Sequence, residues 1–360
     1  MSDAKREFER IREAVAAADE SLVAALDARA RAVREMVELQ NAQPDAYFTL
    51  PRDVDVLAQL VERAKDFPAG GVRAVTTEVL STCRELSSPV SVAYVGQEGG
   101  FGHLAARKHF GTAANLRSAG TAEAVLSDVE RGHASFGLLP FETSYDGAVT
   151  GTLNLLARSE MKICAEIPVP RAFHLIASSE APGPIERIYA SSSAITACEA
   201  FLREHYPDAT VIDERNGIVA AEQARNGEHT AALTTEVVAQ LSGLHFVRRN
   251  IEDVADLQTR YVAVGNDYPP RTGNDRTAVA LALHDMPGVL VECLRPFAER
   301  NINLFRLETR PARGWEFRYL ILIEVDGHIT DRPMLAAIDT LRESSRYVKV
   351  LGSYPCVDAG

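Results

Sequence analysis

The hydrophobic period of this chain changes at Ser87, Ser88 and Pro89, and that change constrains the fold more than any single motif. Before it, apolar residues recur at helical spacing from Phe8 through Ile11, Val15, Leu22, Leu26, Val33 and Met36, which describes one long amphipathic helix. Pro44 and Pro51 bracket a break. Helical periodicity resumes over Val54 to Ala64 and Val72 to Leu86, with Pro68, Gly70 and Gly71 as the turn between them. After Pro89, the run VSVAYVG is a short β-type stretch ending in glycine. Residues 1–87 therefore read as an all-helical domain that precedes one of another class.

From Val90 to Gly265, strand-like runs (SVAYVG, SFGLLP, KICAEIPV, FHLIAS, ERIYA, TVID, TAALT, RYVAVG) are separated by helical stretches such as Thr121 to Arg131 and Ala194 to Glu204. Such alternation implies an α/β domain, placed at residues 88–267. Asn266 to Arg276, rich in Pro, Gly, Asn and Asp, reads as a linker. Residues 275–356 then run β-α-β-β-α-β, a small sheet covered by two helices. Three domains suit 360 residues, more than one core usually serves.

Net charge excludes one large class of partner. At -12, the chain lacks the clustered Lys and Arg that bind a phosphate backbone by releasing counterions, so no nucleic acid is expected. The opening MSDAKREFERIREAV has no apolar core of a secretory signal, and no apolar run is long enough to cross a bilayer, so a cytoplasmic location away from membranes is expected. Five scattered cysteines without CxxC read as reduced packing residues, and nine histidines without HExxH or a tight cluster imply no metal. No cofactor is indicated.

Several segments resemble a known family in order and over nearly the whole length. VAYVGQEGGFGHLAARKHFG is similar to the first motif of prephenate dehydratases, PFETSYDGAVTGTLNLL to their Pro-Ile-Glu-Asn-Ser segment, and TRYVAVG to their Thr-Arg-Phe motif. GVLV (Gly288 to Val291) and LETRP (Leu307 to Pro311) resemble the two signatures with which ACT domains of this family bind phenylalanine. KVLGSYP closes the chain as in the bifunctional chorismate mutase/prephenate dehydratases. The resemblance implies a chorismate-mutase-like helical domain, a two-lobed dehydratase domain like the periplasmic binding proteins, and a C-terminal ACT domain.

What the resemblance implies for chemistry is specific. Prephenate loses carbon dioxide and hydroxide together as its ring becomes aromatic, so a protein acts by holding its carboxylates, assisting the departing hydroxyl and excluding water. Thr259 takes the hydroxyl-assisting role, Arg260 orders the site or meets a carboxylate, and Glu142, Ser144 and Phe101 line the cleft. Gly100 and Gly102 stand where Thr and Ser are expected, Thr143 where Asn is, and Arg215, Asn216 and Gly217 replace a Ser/Thr-rich segment. His174, in FHLIA, is open to two readings, a ligand-facing group or a hydrogen-bonded core histidine.

For the helical domain, Arg12 and Arg29 match the family's long-helix arginines, and Arg52 with Asp53 its Arg and Glu on the next helix, for a site that clamps the chorismate dianion between cations. Arg29 lies on the apolar stripe, so it either meets a partner or ligand or snorkels at the stripe's edge. Gln40 and Ser87 replace an expected Lys and Gln. In the last domain, Gly288, Val289 and Leu290 begin a helix whose N–H groups receive an amino-acid carboxylate. Glu308, with Thr309, Arg310 and Pro311, meets the amino group or nearby polar groups. Such sites form between paired domains, so a homo-oligomer, a homodimer at its simplest, is implied, with phenylalanine as effector. Two other readings fit the altered motifs: a prephenate decarboxylase with a non-aromatic product, and a non-catalytic amino-acid sensor.

Overall fold

Period, caps and turns set the elements of this chain. The computed structural model describes residues 3–42, 53–86, 89–144, 147–180, 182–312, 314, 316 and 319–357. The helical first segment forms α1 (Asp3–Ala42), α2 (Asp53–Arg63) and α3 (Ala69–Glu85). Next come β1 (Ser91–Val95), α4 (Phe101–Phe110), β2 (Asn115–Ala119), α5 (Ala122–Glu130), β3 (Phe136–Thr143), β4 (Gly147–Ala148), α6 (Thr150–Arg158) and β5 (Lys162–Pro170). A second stretch holds β6 (His174–Ala177), β7 (Arg187–Ala190), α7 (Ser192–Ala197), α8 (Glu199–His205), β8 (Thr210–Asp213), α9 (Gly217–Asn226), β9 (Thr230–Thr234), α10 (Glu236–Ser242) and β10 (His245–Arg248). The chain returns through β11 (Gln258–Gly265) to β12 (Asp275–Leu283), α11 (Val289–Ala298), β13 (Leu304–Pro311), β14 (Tyr319–Asp326), α12 (Arg332–Ser344) and β15 (Ser345–Pro355).

These elements form two compact units, Met1–Val90 with His109–Asn115, and Ser91–Lys108 with Leu116–Gly360. In the first, the turn after α4 is held to α3: the Glu78 carboxylate accepts from Thr112 N at 3.0 Å and Thr112 Oγ1 at 2.6 Å. Phe8, Ile11, Val15 and Leu22 of α1 stay exposed along the helix.

Two sheets build the second unit. The larger runs β13-β14-β12-β15-β5-β11-β3-β1-β2, with β4 on β3, and the smaller runs β10-β6-β9-β7-β8. The chain passes between them twice, from β5 to β6 and from β10 to β11, which makes two lobes. β11 is buried along most of its length because it pairs antiparallel with both β3 and β5. Leu153, Leu156 and Val262 share one core with Leu320, Leu351 and Tyr354 from the last segment.

Three expectations need adjustment. The stretch Ala194 to Glu204 is two short helices, because the backbone leaves αR at Cys198 (φ -126, ψ 21). Asp253 holds the second start by accepting from Ala200 N at 2.8 Å and Phe201 N at 2.9 Å. The expected linker ends early, since Asp275 accepts from Thr272 N at 2.8 Å and Gly273 N at 2.9 Å, folding a turn that feeds β12. β2, α9, α10 and β10 were not apparent from periodicity. β2 is half solvated, and α9 buries only alanines.

The large sheet has a narrow seam. β15 meets β5 at one parallel pair, Gly352 with Ile163. A Cβ at Gly352 would lie 2.4 Å from both Ile163 Cβ and Ile163 O. Backbone in a shared sheet cannot yield cheaply, so Gly352→Ala is expected to lower stability by about 1–3 kcal/mol in urea unfolding. Gly151→Ala, at a position with nothing within 4 Å, serves as control; an equal midpoint for the two variants would refute the seam.

Candidate active site

The glycine-rich loop after β1 is clasped to the second lobe. Thr235 Oγ1 donates to Gly99 O at 2.6 Å, Asn216 Nδ2 donates to Gln97 Oε1 at 2.7 Å, and Gly99 N donates to His103 Nδ1 at 3.0 Å. Gly99 has φ +81, and a Cβ there would come within 2.4 Å of Val238. A Cβ at Gly102 would meet Val95 O at 2.2 Å, so the larger residue expected at Gly102 has no room. Asn216 also caps α9, accepting from Val219 N at 2.9 Å.

Beside this clasp the two crossings meet. Arg171 N donates to Leu257 O at 2.7 Å. Ser144 N donates to Gln258 O at 2.9 Å while Ser144 Oγ accepts from Gln258 N at 3.0 Å, a reciprocal pair that fixes the backbone just before Thr259. Thr259 is buried and pairs with Thr143 and Val169, yet its hydroxyl makes no hydrogen bond among the described residues. Phe101 stands edge-on to Phe173 with centroids 5.3 Å apart, joining α4 to the start of β6. Phe101, Ser144 and Thr259 are therefore brought to the junction of the lobes.

Arg260 lies elsewhere. Successive strand residues leave opposite faces, so its guanidinium points away from the side of Thr259. There it donates through Nε to Glu142 at 2.9 Å and through Nη1 to Glu166 at 3.0 Å. Through Nη1 and Nη2 it grips Glu324 bidentately, at 2.7 and 2.6 Å. Arg306 Nη1 pairs with Glu142 at 2.6 Å, Arg276 with Glu166 at 3.3 Å, and Tyr354 Oη donates to Glu324 at 2.6 Å. Burial alone would raise the Glu324 pKa, but hydrogen bonding and charge from Arg260, aided by Tyr354 and Arg306, hold it below the ordinary value. Glu142 and Arg260 thus belong to a buried network of charges.

Glu308 joins the same network. Its carboxylate pairs with Arg306 and Arg310 and accepts from Ala148 N at 2.9 and 3.1 Å, tying β13 to the PFETSYDGA segment. β13 alternates, so Arg306, Glu308 and Arg310 face inward while Leu307, Thr309 and Pro311 are exposed. At the other signature Gly288 takes φ 78 as the cap of α11, Val291 N donates to Gly288 O at 2.9 Å, and Leu290 is exposed. Val289, half-buried, donates its N–H to Met286 O at 3.3 Å. Glu166, Glu324, Arg276, Arg306 and Tyr354 were missed by motif reasoning. The signal was present in LILIEVD and ICAEIPV, where a lone carboxylate interrupts an apolar strand and must find a partner.

In the first unit, a groove of ≈ 650 Å³ is lined by Leu26, Arg31, Arg34, Glu78, Thr82 and Leu86 among others. Arg29 is half-buried, and its Nη1 has no hydrogen-bond partner among the described residues. Arg12 is exposed, 3.7 Å from Glu9. Seventeen positions apart on α1, Arg12 and Arg29 of one chain are separated by about 25 Å and do not converge. Arg52 and Ser87 lie outside the described residues, as do the side chains of Asp53 and Gln40.

His174 is a core histidine. It is buried, its Nδ1 accepts from Asn250 N at 3.1 Å, its ring meets Phe246 edge-on, and burial lowers its pKa. No group of three or more metal-ligating side chains is found among the described residues, and no described helix is long and apolar enough to cross a membrane.

Known proteins share this architecture. The prephenate dehydratase family matches residues 92–269. A bifunctional chorismate mutase/prephenate dehydratase of Stutzerimonas stutzeri is 31% identical over 362 residues, covering 99% of this chain and 99% of the relative. Among solved structures, a prephenate dehydratase of Arthrobacter aurescens in complex with L-Phe has TM-score 0.64 at 32% identity, covering 75% of this chain and 91% of that one. A structure described as a novel type of quorum quenching acylase has TM-score 0.63 at 25% identity, covering 74% of this chain and 98% of its own. With the sequence shared end to end and the dehydratase segment matched, the chain belongs to the bifunctional chorismate mutase/prephenate dehydratase family.

Proposed function

We propose that the chain is a prephenate dehydratase, converting prephenate to phenylpyruvate, carbon dioxide and water, under feedback by phenylalanine. The observation that carries this reading is the Thr259 hydroxyl, fixed by the Ser144–Gln258 pair and without a hydrogen bond among the described residues. As the bond to the ring carboxylate breaks, its electron pair enters the ring and the hydroxyl departs from the opposite carbon. A hydroxyl placed beside that oxygen donates to the developing hydroxide, which takes up a proton to leave as water. Phe101 and Phe173 exclude solvent beside it.

The last segment acts as an ACT domain that takes phenylalanine between two copies, using Gly288, Val289, Leu290 and Glu308 to Pro311. The apolar face of α1 is covered by a second copy, and in that dimer Arg12 from one chain meets Arg29 from the other, with Arg52 and Asp53, at a chorismate-mutase-like site. The enzyme works in the cytoplasm.

The test is incubation of the purified full chain with prephenate at neutral pH, with products identified by mass and ultraviolet spectrum. Phenylpyruvate is expected, with turnover falling as phenylalanine is added. A decarboxylated but non-aromatic product would make the chain a decarboxylase, and phenylalanine binding without turnover would make it a sensor.

A further inference from the structure

Prephenate carries two carboxylates, and the cation that motif reasoning assigns to it, Arg260, is held by Glu142, Glu166 and Glu324. Arg171 is differently placed. It is half-buried at the crossing from β5 to β6, and no ion pair engages it among the described residues. Its guanidinium lies 5.8 Å from the centroid of Phe101. Val169 pairs with Thr259, and just past the end of β5 the bond from Arg171 N to Leu257 O at 2.7 Å continues that antiparallel pairing, which returns the Arg171 side chain to the face of Thr259. Tyr261, the next residue on that face of β11, is pushed up to about 12 by burial, and the positive charge of Arg171 opposes the rise.

We infer that Arg171 is a substrate-binding residue that takes the side-chain carboxylate of prephenate; this rests on the dehydratase reading. The choice between the two carboxylates follows from the chemistry. An arginine paired with the ring carboxylate would stabilise the ground state of the group that must leave as carbon dioxide, and would slow its loss. Paired with the carboxylate that persists in phenylpyruvate, it binds substrate, transition state and product alike, and so acts on KM rather than kcat. A planar guanidinium offers the bidentate geometry that this carboxylate needs.

The experiment measures Kd by calorimetry and steady-state kinetics for Arg171→Gln and Arg171→Lys in the full chain. Arg171→Gln is expected to raise Kd and KM for prephenate about tenfold to a hundredfold. The inhibition constant of phenylpyruvate should rise by the same factor, with kcat within about threefold of the parent. Arg171→Lys is expected to recover part of the affinity. Unchanged prephenate affinity overturns the inference, as does a rise for prephenate without one for phenylpyruvate, or a loss that Arg171→Lys does not relieve and that follows a lowered melting temperature. A parent chain that binds prephenate without turning it over removes the dehydratase reading alone, because the Kd comparison still tests Arg171. A parent chain that does not bind prephenate removes both.

Discussion

Thr259→Ala is expected to lower kcat for prephenate by about a hundredfold to ten-thousandfold, the range a positioned proton donor contributes. KM should change little, because the hydroxyl meets the departing oxygen most strongly in the transition state. The fold should persist: Thr259 makes no side-chain hydrogen bond among the described residues, and Val169 and Thr143 flank it through backbone pairing that alanine keeps. Thr259→Ser retains the hydroxyl and should restore most of the activity. Parent-like turnover in Thr259→Ala, with an unchanged circular dichroism spectrum, would remove Thr259 from the reaction and leave the junction without its proton donor.

Thr259 and Arg260 are adjacent, and the sequence alone presents them as one motif. Strand alternation gives them opposite surroundings, the lobe junction for Thr259 and the charge network for Arg260. The alternation itself was legible in TRYVAVG; what stood opposite each face was not, because Glu142, Glu166 and Glu324 come from strands far apart in sequence. Long periodic elements were legible for the same physical reason that short ones were not. α1 repeats its apolar stripe over many turns, whereas β2 and β10 are half solvated and carry few apolar positions to reveal a period. Gly102 illustrates a third case. As a departure from the family motif it suggests a lost polar group, but the approach of Val95 O shows a packing requirement met by glycine.

Arg260→Met is expected to destabilise the second unit by about 3–5 kcal/mol, the cost of leaving a buried charge without its partner. Glu324 is fully buried, and loss of Arg260 leaves it with Tyr354 and with Arg306 at 3.5 Å. The sign of the pH dependence follows from its lowered pKa. A carboxyl whose folded pKa lies below its ordinary value of 4.5 stabilises the fold above that pH and loses the contribution as pH falls through the folded value. The stability gap between the parent and Glu324→Gln should therefore be widest near neutral pH and narrow below pH 4.5. The double variant Arg260→Met with Glu324→Leu should recover part of the loss, since well-packed apolar side chains can replace a buried ion pair at little cost. Urea unfolding followed by circular dichroism, analysed for more than one transition because the chain has two units, makes the measurement. An Arg260→Met variant within about 1 kcal/mol of the parent would mean that the network is solvated in solution, as exposed ion pairs are.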